Sequence, residues 1–262
     1  MALTSNTIED LASYVEQAQL TAKAIPKLTS DYPDLDLAAG YEIQDALRQR
    51  YRERGEHIIG FKCGLTSKAK MEQMGVNEPG YGFLSSGMQC SNHGEIVITE
   101  LVHPRVEAEV ALILGKDIKG PNCAAADVLA ATAYVAPALE IIDSRFEAFK
   151  FDLPSVMADN ASSARFVLGE RSAYAADLDM PMLGVVLEKN GEIVATAAAA
   201  AVMGHPAEAA AALINHLGKR GEKLEAGAVI LTGGVTEAIA VSAGDRMDAR
   251  VHQLGEVSVS FK

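Results

Sequence analysis

Arg105-Val106-Glu107-Ala108-Glu109-Val110-Ala111-Leu112 is the stretch on which the fold turns. Read as a β-strand, it places alternate side chains on opposite faces. Val106, Ala108, Val110 and Leu112 then share one face. Glu107 and Glu109 share the other, which Ala111 and Ile113 continue. A bare Glu-x-Glu is usually a solvated sheet face. Here the glutamate face turns apolar, which a water-facing strand would not do, so the reading is a covered strand holding two neighbouring carboxylates.

On either side the texture is also that of strands. Ile58-Ile59-Gly60-Phe61-Lys62 is a short apolar strand with one lysine, and Glu95 to Thr99 and Ala226 to Leu231 read the same way. Gly184 to Thr196 is split by Asn190-Gly191, a strong hairpin signal, and Arg250 to Phe261 forms a second hairpin about Leu254-Gly255. Two helices interrupt the strands: Ala124 to Tyr134, expected to end by Pro137, and Ala207 to Lys219, entered through Pro206 and stopped by Gly221. Before residue 58 the period is helical. Ile8 to Ala24 carries Leu11, Tyr14, Val15 and Ala18 on one side, and Leu37 to Arg54 repeats the pattern before Gly55. Runs of strands with few helices between them argue against alternating βαβ units. The expectation is a mostly β, α+β chain, with a helical N-terminal portion over 1–57 and a β-rich catalytic domain over 58–262.

Composition narrows the chemistry. The 262 residues carry a formal net charge of −12, which repels phosphate backbones and excludes nucleic acid as a natural partner. Three cysteines, none in a Cys-x-x-Cys pair, leave no disulfide framework and no structural zinc site. Met1 to Asp10 has no apolar core behind a basic start, and no run of about 18 apolar residues exists to span a membrane. A reducing cytoplasm is expected.

Glu140 lies in the apolar run Pro137-Ala138-Leu139-Glu140-Ile141-Ile142. A lone buried carboxylate needs a partner or a proton. An ion pair with Arg105 or Arg145 would satisfy it. Gathered with Glu107 and Glu109, it would need a cation, and oxygen-only ligation points to Mg²⁺ or Mn²⁺ rather than zinc. His103 reads as lying outside that donor set. Lys62, between glycines in Gly60-Phe61-Lys62-Cys63-Gly64, is suited to binding a carboxylate or exchanging a proton if it is buried beside the acids. Asp159-Asn160-Ala161-Ser162-Ser163 is a turn-like cluster able to hold a carboxylate by amides and hydroxyls. Thr232-Gly233-Gly234 offers close backbone approach without the spacing of a dinucleotide fingerprint.

Together Gly60-Phe61-Lys62-Cys63-Gly64-Leu65-Thr66-Ser67, Val106-Glu107-Ala108-Glu109, Ala138-Leu139-Glu140-Ile141-Ile142-Asp143-Ser144-Arg145 and Ala158-Asp159-Asn160-Ala161-Ser162-Ser163 resemble the 4-oxalocrotonate decarboxylase and 2-keto-4-pentenoate hydratase family of the fumarylacetoacetate hydrolase superfamily. The resemblance implies the largely β fumarylacetoacetate hydrolase-like fold and a Mg²⁺ or Mn²⁺ ion on Glu107, Glu109 and Glu140. It implies Lys62 as the catalytic or substrate-orienting lysine, with Leu84, Ser162 and Thr232 near the substrate. It further implies a 2-oxo dicarboxylate substrate, a homo-oligomer, and association with a homologous hydratase. Hydratases of the family usually carry Pro-Asp-Phe-Gly where this chain has Pro79-Gly80-Tyr81-Gly82. Phe149-Lys150-Phe151-Asp152-Leu153-Pro154-Ser155-Val156 and Met71-Glu72-Gln73-Met74-Gly75-Val76 look instead like the decarboxylases. The expected reaction is therefore decarboxylation of 2-oxohex-3-enedioate in meta-cleavage degradation of aromatic compounds. Hydration of 2-hydroxypenta-2,4-dienoate and a non-catalytic partner of a homologous enzyme are the alternatives.

Overall fold

The computed structural model describes residues 3–67, 71–72, 76–170 and 173–262. Part of the stretch Met71 to Val76, which bears on the likeness to decarboxylases, lies outside them.

Two helices open the chain. α1 (Ser5–Leu20) is capped by the Thr4 hydroxyl, which accepts from Thr7 N at 3.2 Å, and α2 (Leu37–Glu53) by Asp36, which accepts from Ala39 N at 2.9 Å. Their apolar stripes, Leu11 and Val15 on one and Ile43, Leu47 and Tyr51 on the other, are buried in the same contiguous core as the sheet residues.

The strands follow as β1 (Ile58–Gly64), β2 (Gly80–Ser85), β3 (Gln89–Cys90), β4 (Gly94–Ile96), β5 (Arg105–Leu114), β6 (Thr132–Ile142), β7 (Ser163–Leu168), β8 (Gly184–Lys189), β9 (Glu192–Ala198), β10 (Val229–Leu231), β11 (Ile239–Ala240), β12 (Arg246–Val251) and β13 (Gly255–Phe261). Among the described residues, three further α-helices lie between the strands, α3 (Ala125–Ala131), α4 (Leu153–Ala158) and α5 (Pro206–Lys219). An eight-stranded sheet runs β2-β1-β10-β5-β6-β7-β3, with β11 pairing the start of β5. A five-stranded sheet runs β4-β13-β12-β8-β9, and β12 and β13 pack on β6. The architecture is the expected mostly β, α+β one, and the Asn190-Gly191 hairpin forms between β8 and β9.

The helix expected over Ala124 to Tyr134 is shorter. It stops at Ala131, and Thr132 begins β6, which continues straight through Pro137. Proline is tolerated there because its N and O both face the β7 side, just past the end of that ladder, so the missing N–H takes nothing from the pairing with β5. Pro137 O points toward the β7 side and accepts from Gly169 N at 2.8 Å, just beyond the end of β7, whose ladder with β6 begins at Ala138. Pairing with β5 overrides the local helix signal of the alanine-rich segment.

Candidate metal centre and its cavity

β5 and β6 lie antiparallel in a register that sets Glu107 opposite Glu140 and Glu109 opposite Ala138. Like charges placed directly across a ladder repel. One oxygen from each of Glu107, Glu109 and Glu140 lies within 4.8 Å of the others, and all three residues are buried. Glu109 Oε2 accepts from Gly233 N at 2.8 Å, while Glu109 Oε1 and both oxygens of Glu140 accept no hydrogen bond among the described residues. Burial, followed by the field of the neighbouring acids, pushes the Glu109 carboxyl well above the carboxylate range. Burial also raises Glu140, against the opposing pull of Lys62. Buried, convergent, all-oxygen and under-bonded, the trio has the donor chemistry of a site for a hard divalent cation.

Lys62 comes from β1, joined to β5 through β10. It is 3% exposed, so its ammonium needs compensation. Nζ donates to Ala161 O at 3.1 Å and lies 3.2 Å from Glu140 Oε2, an ion pair without the alignment of a hydrogen bond. Burial disfavours the charge, but the attraction of Glu140, Glu107 and Glu109 outweighs it and raises the lysine pKa. The ion partner of Glu140 is thus Lys62, not Arg105 or Arg145. The Cys63 thiol is pushed far up by burial and bonded to Ala209 O at 3.4 Å, which leaves it no nucleophilic role.

Asn160, Ala161 and Ser162 hold φ of 52°, 51° and 59°. Three successive left-handed residues without a glycine are strained, and the surroundings hold them. The Asn160 amide clips β2, accepting from Phe83 N at 2.8 Å and donating to Phe83 O at 3.0 Å. Just before the turn, the fully buried Arg145 guanidinium binds the Asp159 carboxylate through Nε and donates to Ser163 O at 3.1 Å. The turn thereby presents Ala161 O to Lys62 and Ser162 to the cavity.

That cavity, about 480 Å³, is bounded by Lys62, Glu107 and Arg105 on the sheet side and by Phe149, Met157 and Ser162 among its other walls. Ser162 Oγ is buried and lacks a hydrogen-bond partner among the described residues. Leu84 and Thr232, expected near a substrate, are fully buried and do not line it. Leu84 belongs to the main apolar core, and the Thr232 hydroxyl donates to Val110 O at 2.8 Å. Arg105, Phe149 and Met157 were not marked as site residues from sequence. Strand parity alone would have found Arg105, which shares its face with Glu107 and Glu109.

Residues 61–262 match the fumarylacetoacetate (FAA) hydrolase C-terminal family. The chain belongs to the fumarylacetoacetate hydrolase family. It is 50% identical over 251 residues to 4-oxalocrotonate decarboxylase of Pseudomonas putida, covering 96% of this chain and 95% of that relative. It is 36% identical over 256 residues to 2-hydroxyhexa-2,4-dienoate hydratase of Comamonas testosteroni, covering 97% of each. The structure of 4-oxalocrotonate decarboxylase from Pseudomonas putida G7, complexed with magnesium and adipate, matches with a TM-score of 0.97 at 46% identity over 100% of this chain and 99% of that one. The fumarylacetoacetate hydrolase fold expected from the motifs is the fold observed, and the chain is an enzyme of that family. Among the described residues, no helix is long and apolar enough to cross a membrane.

Proposed function

We propose that this enzyme decarboxylates 2-oxohex-3-enedioate (4-oxalocrotonate) to 2-hydroxypenta-2,4-dienoate and CO₂, with Mg²⁺ or Mn²⁺ held by Glu107, Glu109 and Glu140. The donor set fits such an ion: three buried carboxylates, two of them with oxygens lacking any hydrogen bond, are tolerable together when a double positive charge sits among them. The ion supplies electron withdrawal at the 2-oxo end of the substrate.

The C5–C6 bond breaks and CO₂ leaves. Its electron pair forms C4=C5, C3=C4 shifts to C2=C3, and the 2-oxo oxygen gains a proton to give the enol. Lys62 keeps a proton at Nζ beside the carboxylates, where it can steady the 2-oxo end or supply that proton. Ser162, with an uncommitted hydroxyl at the cavity wall, orients the substrate. Leu65, Phe151, Val156 and Met157 keep the cavity apolar and exclude water from the departing end.

One observation carries decarboxylation over hydration. A side chain at position 80 would begin where Met157 lies: a Cβ there collides with Met157 Cε and comes within 2.9 Å of its Sδ, with Leu65 Cδ1 at 3.9 Å. Where an acid could direct water, this chain places thioether and leucine. The higher identity to the decarboxylase than to the hydratase supports the same reading. The test is a product assay with added Mg²⁺. CO₂ release with formation of the dienoate is expected. Hydration of 2-hydroxypenta-2,4-dienoate without CO₂ release from the diacid would overturn it.

A further inference from the structure

We propose that Arg105, set over the Phe149 ring, is the subsite for the distal carboxylate and makes the cavity select six-carbon dicarboxylates over monocarboxylates. The inference rests on the proposed reaction, whose substrate is a dianion.

Charge balance motivates it. Three carboxylates set against Lys62 and a divalent ion come to neutrality, so this set leaves no net positive charge for a doubly negative substrate. Among the described residues lining the cavity, two more cations remain, Arg105 and Lys150, and neither forms an ion pair with a described carboxylate. Lys150 is exposed at the rim, whereas Arg105 is half-buried and fixed, its guanidinium carbon 4.4 Å from the centre of the Phe149 ring. Phe149 is itself held between His103 and Phe151, with ring centres 5.2 and 5.9 Å away. A guanidinium stacked on an aromatic face keeps its edge free for a bidentate carboxylate.

The spacing agrees. Arg105 and Glu107 are two residues apart on one strand face, their Cα atoms roughly 6.7 Å apart. The carboxyl carbons of an extended six-carbon diacid, five C–C bonds of about 1.5 Å apart along a zigzag, are separated by roughly 6 Å. A diacid whose 2-oxo end lies at the glutamates is thus long enough to reach along the strand toward Arg105. The carboxylate still carries most of its charge as the C5–C6 bond begins to break, so the ion pair holds the bound substrate and the transition state alike, and Arg105 acts on binding rather than on the bond-breaking step.

Calorimetry on the Mg²⁺-loaded protein, with adipate and hexanoate as probes, tests this. Wild type is expected to bind adipate at least tenfold more tightly than hexanoate. Arg105→Gln should bring that ratio to within threefold of one while leaving hexanoate affinity unchanged, and Arg105→Lys should fall between. In turnover, Arg105→Gln should raise KM at least tenfold with kcat within threefold of wild type. A wild-type ratio near one overturns the subsite without any variant. So does Arg105→Gln retaining the wild-type ratio, or losing affinity for both probes alike. CO₂ release by the wild type is scored separately: its absence would overturn the reaction, while the ligand ratio would still decide the role of Arg105.

Discussion

Replacing Asp159 with Ala strips the carboxylate from a guanidinium that has no route to water. Arg145 is 1% exposed and Asp159 is fully buried. Nε of Arg145 binds Oδ1, its backbone N donates to Oδ2 at 3.1 Å, and Nη2 donates to Asp159 O at 2.5 Å. In Asp159→Ala the bonds to main-chain oxygens survive and Asp143 still attracts the guanidinium, but the bonded charge partner is gone, and removing one member of a buried ion pair costs about 3–5 kcal/mol. In a chain of this size that lowers Tm by roughly 6–20 °C. Burial lifts the Asp159 carboxyl to about 6 in spite of Arg145, so the pair is fully charged only above that value, and the comparison belongs at pH 8. The loss also reaches the site. Asp159 immediately precedes the three left-handed residues, each of which holds a strained backbone at a cost of about 1–3 kcal/mol where no glycine relieves it. Once released, the turn no longer delivers Ala161 O to Lys62. Denaturant unfolding and calorimetric scanning should therefore show the stability loss, and activity of the still-folded variant at 20 °C should fall more than tenfold. A loss under about 1 kcal/mol, or full activity in a protein destabilised as expected, would refute the view that this ion pair holds the turn.

Other outcomes follow from the same geometry. Glu140→Gln should weaken Mn²⁺ binding by more than a hundredfold while leaving the far-ultraviolet circular dichroism unchanged; tight Mn²⁺ binding by this variant would dismiss the proposed donor set. Gly234→Ala places a methyl 2.6 Å from Glu107 Oε2 and should lower Mn²⁺ affinity about 10–100-fold through displacement of that carboxylate, read by titration calorimetry. His216, wedged between the Tyr41 and Tyr81 rings at 4.8 and 4.7 Å, is held neutral by burial and by Arg220 and Lys219, its pKa down at about 4. The unfolded chain, with a histidine near 6.5, binds more protons between those values, so stability is full above about 6.5 and declines as the pH falls toward 4. Allowing for its partial exposure, about 1 kcal/mol should be lost between pH 7 and 5, and His216→Phe should flatten that part of the stability profile in urea titrations. Adding Mg²⁺ at a hundred times its dissociation constant should stabilise the native state by about 2.7 kcal/mol, and excess chelator should reverse the shift in Tm.

Much of the sheet was readable because its signals are local. The alternation in Val106 to Leu114 gives both the strand and the shared face of Glu107 and Glu109, and Asn190-Gly191 marks its hairpin without help from distant residues. β6 was harder, since Ala125 to Ala131 and Thr132 to Tyr134 look alike to a helical period and only the ladder with β5 separates them. Pro137 reads as a stop until one knows that it sits where the β6–β7 ladder ends. The candidate site divided along the same line. Lys62 and the three glutamates stood out as charges inside apolar runs. That Glu107 and Glu140 face one another depends on register, which no short window contains. Leu84 came in by likeness alone and Thr232 by likeness and a glycine pair beside it; both are fully buried and neither lines the cavity. Arg105 reads from sequence only as a candidate ion partner of Glu140, because its position over Phe149 depends on a loop more than forty residues later.

Gln44 connects the beginning of the chain to its chemistry. From the middle of α2 its amide nitrogen donates to Tyr81 O at 2.9 Å and to Met157 O at 2.8 Å, and Gly40, a turn earlier, lies so close to Pro154 O that a methyl group would sit 2.5 Å from it. The family match begins only at residue 61, yet the segment ahead of it is keyed into α4 and the edge strand β2 beside the reaction chamber. A truncation starting at residue 58 would strand two interior carbonyls and unseat Met157. Chimaeras that exchange this leading segment between decarboxylases and hydratases should therefore carry some of the choice between the two reactions with it.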